Sequence, residues 1–540
     1  MASRPLAVLD IYPEAVDLAR GASCPALMDS MYIPAQSKSS PFGITTDGTT
    51  WAVGHDTFAL HVLVKKVYVV TNPANVTTTL RNSEGLSFDS HLARLLKNFG
   101  VTAEASKRAW HKPQPGDWCY IPNSPINPGQ LNLVHFVEET WKKQLLPVDK
   151  EEKLCQALLA SLRTSLQFGG DGLLDYCTIP SGGSCLWCSK EQCRQVSLYS
   201  LFSKPLGEAI TQSLFGRHLH NIDPDIVENM LNSTSRCGWW SLAMSAFFET
   251  PVSGPRKSLM ATLVEFIQTS SSRRDEGVAW AIDRLLSAME TVDIDVESRA
   301  SMLLMGFWAA MSNGYNITFW ILATLLYDEP LLRLVEHETA AAWGQQSQPS
   351  SSGTSDESSD EEQLGVKYLC RNCPNLEAIF NETLRVRNGS TSIRQVTQQT
   401  VIGGKVLEPG NSVMTPFRQL HTNKEVWGPM AHEFDATRFL KKTNLVRHPS
   451  YRPFGGGVTM CPGKFLPNEE VFGFIAILLR HFEFKLAKQH TMGAAESKGK
   501  GERPPFPRIN DTMPSLGISG PMPGMDLVVE MTTRTRNMKA

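Results

Sequence analysis

Residues 451–465 read YRPFGGGVTMCPGKF: a phenylalanine, three glycines, then one cysteine followed by Pro-Gly. Only a thiolate ligates iron or zinc well, and a free thiol has a pKa of about 8.5, so a ligating cysteine needs surroundings that favour the anion. Gly455, Gly456 and Gly457 permit this, because backbone without Cβ can turn tightly, aim N–H groups at the sulfur and lie close to a flat cofactor. Pro462 suits the first position of a helix whose N-terminal dipole would favour a negative Cys461 sulfur. The run VFGFIAILLRHF that follows fits a buried helix. On these residues alone, a structural cysteine closing a glycine-rich loop is the competing reading.

Composition removes several function classes. A chain of 540 residues with 41% hydrophobic and 20% charged side chains can enclose a cofactor-sized cavity. Its 52 basic and 54 acidic residues give a formal charge of −2, with no basic block, which argues against nucleic acid as a partner. Eleven cysteines are too few for a disulfide scaffold of this length and point to a reducing compartment. Residues 1–40 read as an extension with neither signal sequence nor membrane anchor, since Asp10, Glu14 and Asp17 interrupt its apolar residues. The apolar run at 301–326 holds Ser312, Asn313, Gly314 and Asn316 at its middle, which predicts a helix buried in protein.

The expected architecture is mainly α with minor β-sheets. FALHVLVKKVYVV predicts a strand pair between Pro41 and Leu80, with Gly48 and Gly54 as turns. Three- and four-residue apolar spacing predicts helices from about 85 to 390. Residues 344–363, GQQSQPSSSGTSDESSDEEQ, are polar, acidic and aperiodic, and read as a disordered surface loop. Short alternating pieces broken by Gly-Gly and Pro-Gly return the chain to strands after 390.

The order Phe454, Gly457, Cys461, Gly463 resembles the haem-binding loop of the cytochrome P-450 superfamily. Two further motifs of that family stand in the same order. NETLRVR carries Glu382 and Arg385 at i and i+3, and FDATRF places Arg438 further on, which resembles the family's buried Glu–Arg–Arg cluster. Alone, such a pair is common on solvated helix faces. HTNKEVWGPMAHEFDATRF, with His421, Trp427 and Pro429, resembles the stretch between the motifs, and SLGISGPMPGMDLVVEM the C-terminal hairpin. The resemblance implies one P-450 domain over 41–535, a long central helix over the haem, and haem b held by the Cys461 thiolate.

Departures from the family pattern bear on mechanism. Thr459 stands where most members carry an Arg or His for a haem propionate, and Arg394 matches the position of a second propionate ligand. A Trp-x-x-x-Arg motif is missing from residues 105–140, and Pro467 is expected to disturb the helix after the cysteine. Most members place an acid and a threonine over the distal face to relay protons. Here FWAAMSNGYNITFW has Asn313-Gly314, most similar to the sterol 7α-hydroxylase and prostacyclin synthase branch, whose helix carries Asn-Thr before a similar TFW. Asn313 is retained, the threonine is not, and Thr318 lies more than a turn further on. Asn313 and Thr318 are the candidate oxygen-handling residues, with a backbone-capping role for Asn313 as the alternative.

The resemblance implies a monooxygenase of a lipophilic small molecule such as a steroid, terpenoid or other specialised metabolite. It uses O₂ and a separate NADPH-dependent reductase, and acts as a monomer. The prostacyclin synthase likeness keeps open an isomerase or dehydratase needing neither, and a haem-binding sensor is the non-enzyme alternative. Eukaryotic relatives sit at the endoplasmic reticulum membrane through an anchor this sequence does not display, which leaves localisation open. Cys185, Cys188 and Cys193 with Cys370 and Cys373 lack any standard zinc spacing.

Overall fold

The computed structural model describes residues 45–46, 57–62, 65–146, 149–166, 193–235, 253–269, 277–344, 364–487, 503–510, 515 and 517–534. The extension at 1–40, Gly48, Gly54, Cys185 and Cys188 lie outside them, as does the acidic loop at 344–363 apart from Gly344.

The helices that build the site are α1 (Pro73–Arg81), α2 (Leu133–Leu145), α3 (Asp149–Ser165), α4 (Leu198–Phe215), α5 (Ser253–Gln268), α6 (Val296–Tyr327), α7 (Val366–Asn372), α8 (Pro374–Arg387) and α9 (Leu466–His481). The organising element is α6, 32 residues long, which at about 1.5 Å per residue spans roughly 48 Å. Asp295 starts it, its Oδ1 accepting the Ser298 N–H at 2.8 Å. Apolar residues on most sides of its middle, including Phe307, Met311, Phe319 and Trp320, are fully buried, because α4, α5, α8 and α9 all pack on it. The run that sequence places inside protein is thus a core helix, and no described helix is long and apolar enough to cross a membrane.

Strands β1 (Thr45–Thr46), β2 (Phe58–Val62), β3 (Lys65–Val69), β4 (Leu86–Ser87), β6 (Thr391–Val396) and β9 (Ser412–Pro416) form one sheet in the order β1-β2-β3-β9-β6-β4. The expected N-terminal strand pair is β2–β3, antiparallel with Phe58 opposite Val69. Parallel pairing of β3 with β9 joins this N-terminal piece to the C-terminal half, and β6 sets Arg394 opposite Val413. A two-stranded hairpin is made by β7 (Thr400–Ile402) and β8 (Lys405–Leu407).

The C-terminal stretch divides in two. Residues 508–510 and 520–522 fold against each other through Asn510 N–H to Gly520 O and Met522 N–H to Arg508 O, both 2.8 Å. Beyond them β11 (Val528–Thr533) lies between β10 (Phe482–Leu486) and β5 (Cys193–Ser197), antiparallel to both. The turn is held to α6: Trp320 Nε1–H donates to Ser519 O at 2.8 Å and Asn316 Nδ2 to Ile518 O at 3.2 Å.

Pro467 needs a correction. It sits in the first turn of α9, where no intrahelical N–H is lost, so the helix is undisturbed. Pro462 does not open that helix, which begins at Leu466.

Asp295→Ala removes both the α6 cap and the acceptor of the Thr102 hydroxyl at 3.1 Å. We expect a loss of about 1 kcal/mol, measured as a lower midpoint in urea unfolding.

Candidate active site

The expected charge cluster is assembled and buried. Arg385 donates to both carboxylate oxygens of Glu382, Nε to Oε2 at 2.8 Å and Nη2 to Oε1 at 2.7 Å, with both residues at 0% exposure. Arg438 adds Nε to Oε1 at 3.2 Å, and the Asp435 N–H donates to the same oxygen at 3.0 Å. The rest of the Arg385 guanidinium is spent on backbone: Nη1 reaches His421 O at 2.6 Å and Ala431 O at 2.5 Å, and Nη2 reaches Glu433 O at 3.0 Å. A planar fork with five donors can bind a carboxylate on one edge and carbonyls on the other, which lysine cannot.

From this cluster a chain of contacts leads to the cysteine loop. His421 Nε2 accepts the Arg452 N–H at 2.9 Å, and Asn388 Nδ2 donates to Pro453 O at 3.0 Å. Burial and the neighbouring Arg385 charge push His421 down to about 3, so it is neutral and able to accept.

Within the loop the Cys461 N–H donates to Phe454 O at 3.0 Å, which closes the turn that begins at that phenylalanine. Gly457 has φ +64° and lies so close to α1 that a Cβ would stand 1.9 Å from Leu80 O. Only glycine fits there. Cys461 is exposed. Although the residue as a whole is exposed, protein packed around the sulfur desolvates it and raises the thiol's pKa, while the Gly463 N–H acts in the opposite direction. With α9 starting at Leu466, that amide, rather than a helix N-terminus at Pro462, faces the sulfur.

Arg394 reaches the loop from β6. It is 1% exposed, and its Nη atoms donate to Leu80 O at 3.1 Å, Asn82 O and Leu86 O at 3.3 Å, and Thr459 Oγ1 at 2.8 Å. No carboxylate is among these partners, and its buried Nε has no acceptor. A desolvated cation without a counter-charge suits an anionic group brought by a ligand. Leu145 stands four residues after Trp141 on α2, and its Cδ1 lies 3.7 Å from where a Gly463 Cβ would be. An aliphatic side chain thus lies beside the loop. The exposed thiol, the glycine-tight turn and the unpaired guanidinium fit haem b.

On α6 the candidate oxygen-handling residues are engaged elsewhere. Asn313 Oδ1 accepts the Ile518 N–H at 2.9 Å and its Nδ2 donates to Ser312 Oγ at 3.1 Å. Thr318 is fully buried and its hydroxyl donates to Gly314 O at 2.9 Å. Sequence reading missed the group opposite them. Glu470 of α9 is 4% exposed, its Oε1 has no partner, and a Cβ on Gly314 would lie 2.0 Å from that oxygen. Burial pushes its carboxyl up to about 8. The available signal was a carboxylate at the head of an otherwise apolar helix, NEEVFGFIAILL. Cys370 and Cys373 are free thiols raised to about 12 by burial, and no metal-holding group of three exists among the described residues.

A mainly helical fold with these three motifs defines a haem–thiolate oxidoreductase. The Cytochrome P450 family profile matches residues 190–504, more than half of the chain, and the protein belongs to that family. The cytochrome P450 monooxygenase calL of Penicillium decumbens is 23% identical over 493 residues, 86% of this chain and 84% of its own. Cholesterol 7-alpha-monooxygenase of Cricetulus griseus is 23% identical over 406 residues, 72% of this chain and 76% of its own. A cytochrome P450 monooxygenase of Gibberella zeae is 36% identical over 126 residues, 22% of this chain and 24% of its own. The protein is therefore a monooxygenase that binds haem through a cysteine thiolate and works on a small molecule with O₂ and a redox partner. Its likeness reaches into the cholesterol 7-alpha-monooxygenase branch.

Glu382→Ala strands the Arg385 charge in the core, and we expect a loss of about 3–5 kcal/mol. Purified variant should show a depressed melting temperature and little retained haem by pyridine haemochrome assay. A second expectation concerns acid. Because His421 has its pKa lowered in the fold, the unfolded chain binds more protons below the ordinary value of 6.5. Its contribution to stability is complete above that pH and is lost as pH falls towards about 3, so His421→Gln should flatten the acid limb of melting temperature against pH.

Proposed function

We propose that Cys461 is the axial ligand of haem b and that Arg394, beside Thr459, neutralises a propionate. Phe454, Gly457 and Gly463 shape the loop that presents the sulfur. The observation that carries this reading is the buried, carboxylate-free Arg394 guanidinium bonded at 2.8 Å to a residue two positions before the cysteine. Haem, when bound, supplies the iron at which dioxygen is activated, and an anionic sulfur behind it favours O–O cleavage. Gly463 donates its amide to that sulfur and tempers its charge. Asn313 holds the turn at 517–519 against α6 and thereby fixes part of the distal wall. The substrate is a lipophilic steroid, terpenoid or other specialised metabolite. That choice is supported by the names of the relatives and by the apolar face of α6.

Electrons come from a separate NADPH-dependent reductase. One substrate, one O₂ and one NADPH with a proton give hydroxylated product, water and NADP⁺. Val458 and Phe465, 51% and 40% exposed, flank the cysteine and provide an apolar contact for such a partner. A second reading, isomerisation of an oxygenated substrate without reductase, draws support from the engagement of both Asn313 and Thr318 with backbone.

Reduced parent protein should give a carbon monoxide difference spectrum with the Soret band of thiolate ligation, and Cys461→Ala should lose that band. Retention of the band in the variant would refute the ligand assignment. Product formation that stops when NADPH or reductase is omitted supports hydroxylation; full turnover without either would establish the isomerase.

A further inference from the structure

We propose that Ser312 of α6 selects a carbonyl-bearing substrate, donating its hydroxyl proton to a ketone, ester or lactone oxygen on an otherwise lipophilic molecule. This rests on the reading of the protein as an oxidase of lipophilic small molecules and narrows their class. Much of α6 is enclosed, with Phe307 and Met311 at 0% and 1% exposure, yet one face of the same turns is open: Ala309 and Ala310 are exposed, and Gly306, Ser312 and Asn313 are partly so. That face and the cysteine loop border one space. Trp141 and Leu145 stand one helical turn apart on α2; the Trp141 ring lies 3.5 Å from where a Gly306 Cβ would be, and Leu145 Cδ1 lies 3.7 Å from the corresponding point at Gly463. A single helix thus spans from the open face of α6 to the turn that carries Cys461.

Hydrogen bonding on this face leaves one donor over. The Ile518 N–H meets Asn313 Oδ1 at 2.9 Å, and because a backbone amide can only donate, the orientation of the Asn313 side-chain amide is fixed. Its Nδ2 therefore donates to Ser312 Oγ at 3.1 Å. Glycine at 517 permits this arrangement, since a Cβ there would collide with Asn313 Oδ1. With its oxygen taken as an acceptor, Ser312 still has its own proton to place. The acceptor within its helix is Ala309 O at 3.4 Å, beyond the roughly 2.5–3.0 Å of an effective O–H···O bond. That contact is itself exposed, so a closer acceptor entering the space displaces it. The backbone beneath the hydroxyl is held as well: Asn316 Nδ2 donates to Ser312 O at 3.1 Å and to Ile518 O at 3.2 Å.

The class of substrate follows from what the site has left to offer. Ser312 has a proton to give and its acceptor is spent on Asn313, so its match is an oxygen that accepts and need not donate. A carbonyl is such an oxygen. A plain hydrocarbon in the same place leaves the hydroxyl against apolar surface, which forfeits the hydrogen bond it makes with water. The surroundings are otherwise apolar: Ala309 and Ala310 adjoin it, and Trp308, partly exposed, packs its ring on Phe99 at 5.8 Å. Discrimination therefore comes from the one group the wrong substrate leaves unpaired. No bond to Ser312 forms or breaks in the reaction; the residue orients the substrate.

The test uses haem-loaded parent, Ser312→Ala and Ser312→Thr with two probe pairs, androstanone with androstane and camphor with camphane, the members of each pair differing by a carbonyl. In equilibrium dialysis Ser312→Ala should bind the ketone of at least one pair about threefold to tenfold more weakly than the parent, the worth of one neutral hydrogen bond, with the hydrocarbon unchanged. Infrared difference spectra should place the C=O stretch of that bound ketone at lower frequency in the parent than in Ser312→Ala. Ser312→Thr, which keeps the hydroxyl, should restore the lower frequency. Equal ketone affinity and carbonyl frequency in parent and Ser312→Ala would overturn the proposal. So would an equal loss for ketone and hydrocarbon, which marks packing alone, or a parent that binds neither ketone. Should Ser312→Ala not retain haem, the parent's carbonyl frequency against that of the same ketone in hexane decides, and no downshift refutes the hydrogen bond. The thiolate band in the carbon monoxide spectrum and the binding of the hydrocarbons report the underlying reading separately: both present without a carbonyl effect would leave that reading standing and refute this one.

Discussion

The Arg385 guanidinium is the constraint on which the rest of the site depends. Removed from water, it must satisfy every N–H it carries, and it does so with one carboxylate and three backbone carbonyls contributed by residues 421, 431 and 433. Those carbonyls belong to a segment of short helices and turns that no sheet ladder ties down. A single planar ion therefore fixes the path of the chain between α8 and the cysteine loop. His421 transmits that path onward, because the residue whose carbonyl Arg385 binds also accepts the Arg452 N–H through its ring.

The cluster alone is no large reservoir of stability. A buried and a partly buried arginine around one buried glutamate cost desolvation that their attraction offsets only when geometry is close to ideal. What the arrangement secures is position. The 0% exposure of Glu382 and Arg385, together with Trp427 whose ring lies 5.0 Å from the Arg385 guanidinium, leaves few alternative conformations for the loop's approach.

Much of this was legible in the sequence because its motifs are ordered and their physics is local. Three glycines before a cysteine, Glu382 and Arg385 three apart on a helix, and the long apolar run of α6 each state their environment. What was not legible involves contacts made across the chain. Nothing near Leu145 indicates that it packs beside Gly463, and nothing near Gly314 indicates that an acid 156 positions later touches it. Pro467 was misread for a smaller reason: the helix begins at Leu466, four residues after the Pro462 start read from sequence, which puts the proline in the first turn where it is tolerated. The partners of Asn313 were likewise out of reach, since the turn at 517–519 comes from the far end of the sequence.

These long-range contacts define what fills the space beside Gly314 on α6. Position 314 is constrained from α9, where Glu470 follows the cysteine loop by nine residues on the same continuous piece of chain. The ligand-bearing loop and the acid are thus placed by one rigid element, and α6 contributes the opening rather than the group that fills it. Thr318 bonds to the Gly314 carbonyl within the same turn. Asn313, Asn316 and Trp320, all committed to the turn at 517–519, keep that face of α6 from moving away from its C-terminal cover. Polar residues hold backbone on one side of α6, and the Glu470 carboxyl packs against the other. The gap at Gly314 is where the two sides meet.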